Sequence, residues 1–155
     1  MAKALDTGDK APIFESISTN GEISLADLKG KNVILYFYPK DDTPGCTIEA
    51  QDFSKKIAQF KQNNCVILGV SKDSIPSHEK FIIKHSLDIT LISDPDTDLC
   101  KKFGVIKEKS MFGKKYMGID RSTFLINSAG NIEKVWRSVK VKGHADAVLD
   151  EVKKL

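Results

Sequence analysis

The chain has 155 residues, 24 Lys+Arg against 21 Asp+Glu for a formal net charge of +3, with 41% hydrophobic and 29% charged residues. A globular chain of this length buries roughly 68–70% of its unfolded surface and needs neither disulfides nor a structural metal to fold. Three widely spaced cysteines exclude a secreted disulfide scaffold, and interleaved acids and bases argue against a nucleic-acid surface. The longest apolar run, Val33–Tyr38, is far short of the about 20 residues that span a bilayer. The N-terminus, Met1 to Asp6, carries no apolar signal core, so the expected compartment is the cytoplasm.

In chain order, Ile13–Ser18 and Glu22–Leu25 flank Thr19-Asn20-Gly21, the signal of a short hairpin. Val33–Tyr38 is apolar throughout rather than alternating, as in a central strand covered on both faces. The loop Pro39–Gly45 follows, then a helical pattern with Phe53, Ile57 and Phe60 on one face. Cys65–Val70 reads as a second buried strand, which predicts a right-handed parallel crossover. Pro76 opens a helix to about His85, and Ile89–Ile92 is a short strand. Asp94-Pro95-Asp96 starts a helix that ends near Phe103-Gly104. Lys107–Tyr116 reads as an exposed basic loop. Ser122–Ile126 and Ile132–Arg137 form a second hairpin. A last helix from about Gly143 places Ala145, Val148, Leu149, Val152 and Leu155 on one face. With no repeat or linker, residues 1–155 are expected to form one α/β domain, a central mixed sheet with helices on both faces and an N-terminal hairpin.

The chemistry concentrates in Tyr38-Pro39-Lys40-Asp41-Asp42-Thr43-Pro44-Gly45-Cys46-Thr47-Ile48-Glu49. Cys46 stands where a central strand hands over to a helix. Free N–H groups and the positive dipole end of a first helical turn favour a thiolate, which is the nucleophile. Thr43 brings a hydroxyl near the sulfur, and Pro39 and Pro44 stiffen the loop. On position alone, Cys46 could equally be a small apolar filler beneath a helix start.

Pro39-x-x-x-Thr43-x-x-Cys46 at the end of an apolar strand resembles the active-site signature of the peroxiredoxins, thiol peroxidases of thioredoxin-like fold. The string Tyr36–Glu49, Ser93-Asp94-Pro95 ahead of Phe103-Gly104-Val105, and the segment Lys109–Ile126 are similar to the bacterioferritin-comigratory or peroxiredoxin Q branch. The resemblance runs from about Leu5 to the C-terminus. It implies Cys46 as the peroxidatic nucleophile, Thr43 as hydrogen-bonding peroxide and sulfur, and Pro39 as shielding the pocket. It also implies Arg121 as the guanidinium that stabilises thiolate and developing charge, with Glu49 orienting that arginine. A fixed cation beside a helix N-terminus agrees with this. The implied reaction is attack of the thiolate on H2O2 or an alkyl hydroperoxide, leaving a sulfenic acid that a second thiol must reduce.

The chain departs from the branch in lacking its resolving cysteine. Gln51 occupies the position five residues after Cys46, and Ser77–Ile83 in the following helix has none. Cys65 begins a buried strand, and Cys100, with a side chain expected to be partly exposed, reads as structural. Resolution is therefore expected from an external thiol, a thioredoxin, glutaredoxin or glutathione. No cofactor is expected, and neither the cysteines nor His78, His85 and His144 are spaced for zinc. His78 and His85 read as solvated, and Trp136 as packing. The branch implies a monomer. Two other readings remain: a thiol–disulfide relay, disfavoured by Glu49 where a second cysteine would stand, and a peroxide sensor that passes its oxidation to a partner.

Overall fold

A computed structural model describes residues 4–155. Met1–Lys3, part of the segment inspected for a signal core, lie outside the described residues. The centre is a seven-stranded sheet in the order β2-β1-β5-β4-β3-β8-β9, with β1 Glu15–Ser18, β2 Gly21–Ser24, β3 Asn32–Phe37, β4 Cys65–Ser71, β5 Thr90–Ser93, β8 Ser122–Ile126 and β9 Ile132–Trp136. Strands β3, β4 and β5 run parallel. The edges on either side, β1–β2 and β8–β9, are antiparallel hairpins, so the sheet is mixed.

The unbroken apolar run of β3 is explained by the two cores it separates. Ile34, Tyr36 and Tyr38 face one core with residues of α1 (Pro44–Lys55), α2 (Ile57–Gln62), α3 (Ile75–His85) and α5 (His144–Lys153). Val33, Leu35 and Phe37 face the other with Phe14, Phe124 and residues of α4 (Asp98–Lys102). Successive strand residues point to opposite sides, so a strand covered on both must be apolar at every position. A close approach fixes one residue of β4. A Cβ on Gly69 would lie 2.7 Å from Leu91 and 2.8 Å from the Tyr36 ring, so glycine alone leaves room for the Tyr36 phenol.

Several expectations are corrected. Lys107–Tyr116 is not a loop but most of a separate hairpin, β6 Ile106–Met111 with β7 Lys114–Ile119. Phe112 (φ 53°) and Gly113 (φ 79°) make its tight turn, the left-handed pair that such two-residue hairpins require. Lys107, Lys114 and Lys115 stay exposed and Lys109 is only half-buried, so no apolar alternation announces it. The helical pattern around Phe53 and Phe60 is interrupted at Lys56, giving two helices. Cys100 is fully buried, because Asp94 accepts hydrogen bonds from the Leu99 and Cys100 amides at 3.1 and 2.8 Å and draws the start of α4 inward. His78 is buried rather than solvated, its side chain 0% exposed. At the C-terminus, Ala145, Val148, Leu149 and Val152 are buried, while Leu155 is exposed beyond the last turn of α5. No helix among the described residues is long and apolar enough to cross a membrane.

Candidate active site

The loop after β3 delivers the chain into α1. Thr43 is the residue before the first turn, in extended conformation (φ −93°, ψ 154°), and Pro44 occupies the first helical position, where its missing N–H costs nothing. Cys46 is therefore the third residue of α1 and lies within the turn whose N–H groups lack helical partners. It is 2% exposed. Glu49 follows at i+3 on the same face and is 1% exposed.

Arg121, in the connection between β7 and β8, reaches across to both. Its Nη2 donates to Cys46 Sγ at 3.2 Å and its Nη1 to Glu49 Oε1 at 2.6 Å. Gly45 makes room for this: a Cβ there would lie 3.2 Å from Arg121 Nη2. One planar guanidinium thus bridges sulfur and carboxylate, a geometry lysine cannot reproduce.

Burial pushes the Glu49 carboxyl up to about 7, against the pull of Arg121 and with a further upward push from Asp52. The upward shift wins because Oε1 alone holds the guanidinium, while Oε2 has no hydrogen-bond partner among the described residues. For Arg121, burial works downward, but Glu49 and Cys46 more than offset it and hold the guanidinium above its ordinary range. The arginine is thus fixed as a cation beside the sulfur.

Cys46, Glu49 and Arg121 meet. Thr43 flanks them, but its hydroxyl donates to the Lys40 carbonyl at 2.8 Å, closing the loop on itself rather than bonding the sulfur. Pro39 starts the loop and is half-buried. The other two thiols stand elsewhere. Cys65 opens β4 opposite Asn32, at the end of β3 away from Cys46, and burial pushes its thiol up to about 12. Cys100 belongs to the core on the other side of the sheet. Burial, then Asp94, raises its thiol far above the ordinary range.

Two groups near the site were not singled out from sequence. His144, at the start of α5, is 6% exposed and shares a 2.8 Å hydrogen bond between Nε2 and Thr123 Oγ1. Burial and then Arg121 pull it down to about 4, so the ring is neutral at ordinary pH. Asp41, in the loop itself, carries a buried network with α3. Neither could be found from spacing, because Thr123 and His144 are brought together only by the fold.

The family model for the AhpC/TSA family matches residues 7–135. The chain belongs to that family. A putative peroxiredoxin bcp of Coxiella burnetii is 52% identical over 147 residues, covering 94% of this chain and 97% of that protein. Among solved structures, a cysteine-to-serine mutant of Xylella fastidiosa PrxQ superposes with a TM-score of 0.92 at 40% identity, covering 99% of this chain and 98% of that one. The Xanthomonas campestris bacterioferritin comigratory protein, whose trapped intermediate and ligand complexes concern alkyl peroxide reduction, gives 0.87 at 45%, covering 91% and 90%. The fold is the thioredoxin-like peroxiredoxin fold, and the chain is of the bacterioferritin-comigratory or peroxiredoxin Q type. It is a thiol peroxidase, an enzyme that reduces peroxides through a cysteine at the expense of a reducing thiol.

Proposed function

We propose that Cys46 is the peroxidatic cysteine, that H2O2 and alkyl hydroperoxides are its substrates, and that an external thiol resolves it. The observation that carries this is the Arg121 bridge, a guanidinium bonded at once to Cys46 Sγ and to a buried carboxylate. The thiolate attacks the terminal peroxide oxygen in line, the S–O bond forms as the O–O bond breaks, and the departing oxygen takes up a proton to leave as water or alcohol. Arg121 and the first-turn N–H groups of α1 point donors at the charge that develops. Thr43 contributes its hydroxyl oxygen to the same pocket, Pro39 covers it, and Glu49 holds the arginine in place.

The sulfenic acid at Cys46 is then attacked by a thiol, water leaves, and the mixed disulfide is reduced by a second thiol. Within this chain neither candidate is placed to do so. The six residues of β3 separate Cys46 from the Cys65 end of the sheet, on the order of 20 Å at about 3.3 Å per residue. A disulfide needs Cα atoms within about 7 Å. Cys100 lies across the sheet. Gln51 supplies no thiol, and a thioredoxin, glutaredoxin or glutathione takes that part. The same reading makes the chain one cytoplasmic domain acting as a monomer.

Oxidation with one equivalent of H2O2, followed by tryptic mass spectrometry and by steady-state assays with each reductant, tests it. A Cys46 sulfenic acid that reacts with added thiol over many turnovers is expected. A clean Cys46–Cys65 or Cys46–Cys100 disulfide overturns external resolution, and a single stoichiometric oxidation with no turnover points to a sensor.

A further inference from the structure

We infer that Asp41 and His78 are a positioning pair for the peroxidatic loop. This rests on Cys46 being the nucleophile, and it assigns a task to one residue of the loop and one on a different helix. His78 sits on α3, buried completely. Its Nε2 meets the Ile92 carbonyl at 2.9 Å and its Nδ1 meets Asp41 Oδ2 at 2.7 Å. A carbonyl only accepts, so Nε2 carries a proton. Asp41 Oδ2 also accepts from Ser77 Oγ at 2.8 Å, and Oδ1 from Tyr38 Oη at 2.5 Å. With the Ile92 carbonyl at one ring nitrogen and the Asp41 carboxyl at the other, the ring is bonded at both ends, and both oxygens of Asp41 have partners. The result is a buried polar network whose side-chain atoms are all satisfied.

The pair ties the loop to the body of the protein at several points. The Asp41 N–H donates to Asp73 Oδ2 at 2.8 Å, at the exit of β4. Asp42 holds a left-handed backbone (φ 59°), a conformation that persists in a non-glycine residue only where its surroundings enforce it. Outside, its carboxylate is gripped by Lys84 at 2.6 Å and His85 at 2.7 Å, both from α3. Thr43, which closes the loop on Lys40, and then Cys46 follow directly. Two consecutive aspartates pinned to one helix therefore fix where α1 begins, and so where the sulfur faces Arg121.

A buried polar network with every member satisfied rigidifies its surroundings and specifies one arrangement. The reaction needs that arrangement, because misplacing a reacting atom by about 1 Å costs on the order of 10²-fold.

The test measures the second-order rate of Cys46 oxidation by H2O2 in single turnover, trapping the sulfenic acid with dimedone. The proteins are the unmutated chain, His78→Gln, Asp41→Asn, the double variant and Tyr38→Phe, each at a temperature where circular dichroism shows it folded. Amide hydrogen exchange is followed in parallel. Each single substitution at the pair is expected to slow oxidation by about 10²-fold, and the double variant no more than the slower single, since the two act as a unit. Tyr38→Phe, which removes one donor and little volume, is expected to slow it by about threefold to tenfold. Amides of residues 40–47 should exchange faster while those of β4 do not.

Folded variants that oxidise at the unmutated rate overturn the assignment, as does loop and β4 exchange rising together. If His78→Gln and Asp41→Asn do not fold, Tyr38→Phe decides alone, and an unchanged rate in it overturns the inference. An unmutated protein that forms no dimedone adduct at Cys46 refutes the nucleophile instead.

Discussion

Replacing Glu49 with glutamine isolates the electrostatic cost at the centre of the site. The carboxyl stands at about 7 in the folded protein against 4.5 for an ordinary glutamate. Its folded value is raised, so between those two values the native state holds more proton than the unfolded chain, and stability falls as pH rises through the window. A displacement of roughly 2.5 units corresponds to about 3 kcal/mol, all of it lost by pH 8 and restored near pH 4.

Glutamine keeps the shape and one acceptor for Arg121 but never ionises. The difference in unfolding free energy between the native chain and Glu49→Gln should therefore shift by about 3 kcal/mol in favour of the variant from about pH 4.5 to about pH 7.5. Urea unfolding of both proteins across that range, read by circular dichroism, measures it. The sign discriminates between two effects. If the 2.6 Å bond to Arg121 outweighed burial, the native chain would gain stability over the same interval. A gain, or a difference that does not move with pH, refutes the reasoning. The variant should nonetheless oxidise more slowly at the upper end of that range, because a neutral amide anchors the guanidinium less firmly than a carboxylate.

Other outcomes follow from the same geometry. His144, drawn down to about 4 from 6.5 by burial, has a depressed folded value; its contribution of about 3 kcal/mol is present above pH 6.5 and lost as pH falls through 4. His144→Asn should flatten the acid limb of a stability–pH curve, and an unchanged limb would show that the ring is charged when folded. Arg121→Lys should lower the rate of Cys46 oxidation by about 10²-fold, since an ammonium cannot reach Sγ and Glu49 together; stopped-flow mixing with H2O2 measures this, and a rate within twofold contradicts the bridge. Thr43→Val removes the bond to Lys40 and should cost about 1 kcal/mol in stability together with about tenfold in kcat/KM for peroxide. Cys65→Ser and Cys100→Ser should each turn over with external thiol as the native chain does, checked in the same coupled assay.

The sheet and the position of Cys46 were legible in the sequence where one physical cause dominates. Strands β3 and β4 are buried on both faces, so their apolar runs could have no other fate. Cys46 follows such a run and two prolines, which places it in the first turn of a helix. What sequence patterning misses are pairings across distance. His78 looks solvated because its partner, Asp41, is 37 residues away, and Cys100 looks half-exposed because the residue that buries it is the capping Asp94. The β6–β7 hairpin escapes for the opposite reason. Outside its base, where Ile106 and Ile119 pair, it buries little, so nothing in its lysine-rich sequence has to alternate.

In the proposed mechanism every step passes through Cys46, and one experiment addresses that directly: steady-state H2O2 reduction by the native chain and by Cys46→Ser, in the same assay with thioredoxin, glutaredoxin and glutathione in parallel. Serine at the third position of α1 keeps the size and the first-turn hydrogen bonds but cannot form a sulfenic acid. Complete loss of turnover with every reductant is therefore expected, in a protein whose circular dichroism is unchanged. Turnover by Cys46→Ser at a rate comparable to the native chain would show that another group carries the reaction.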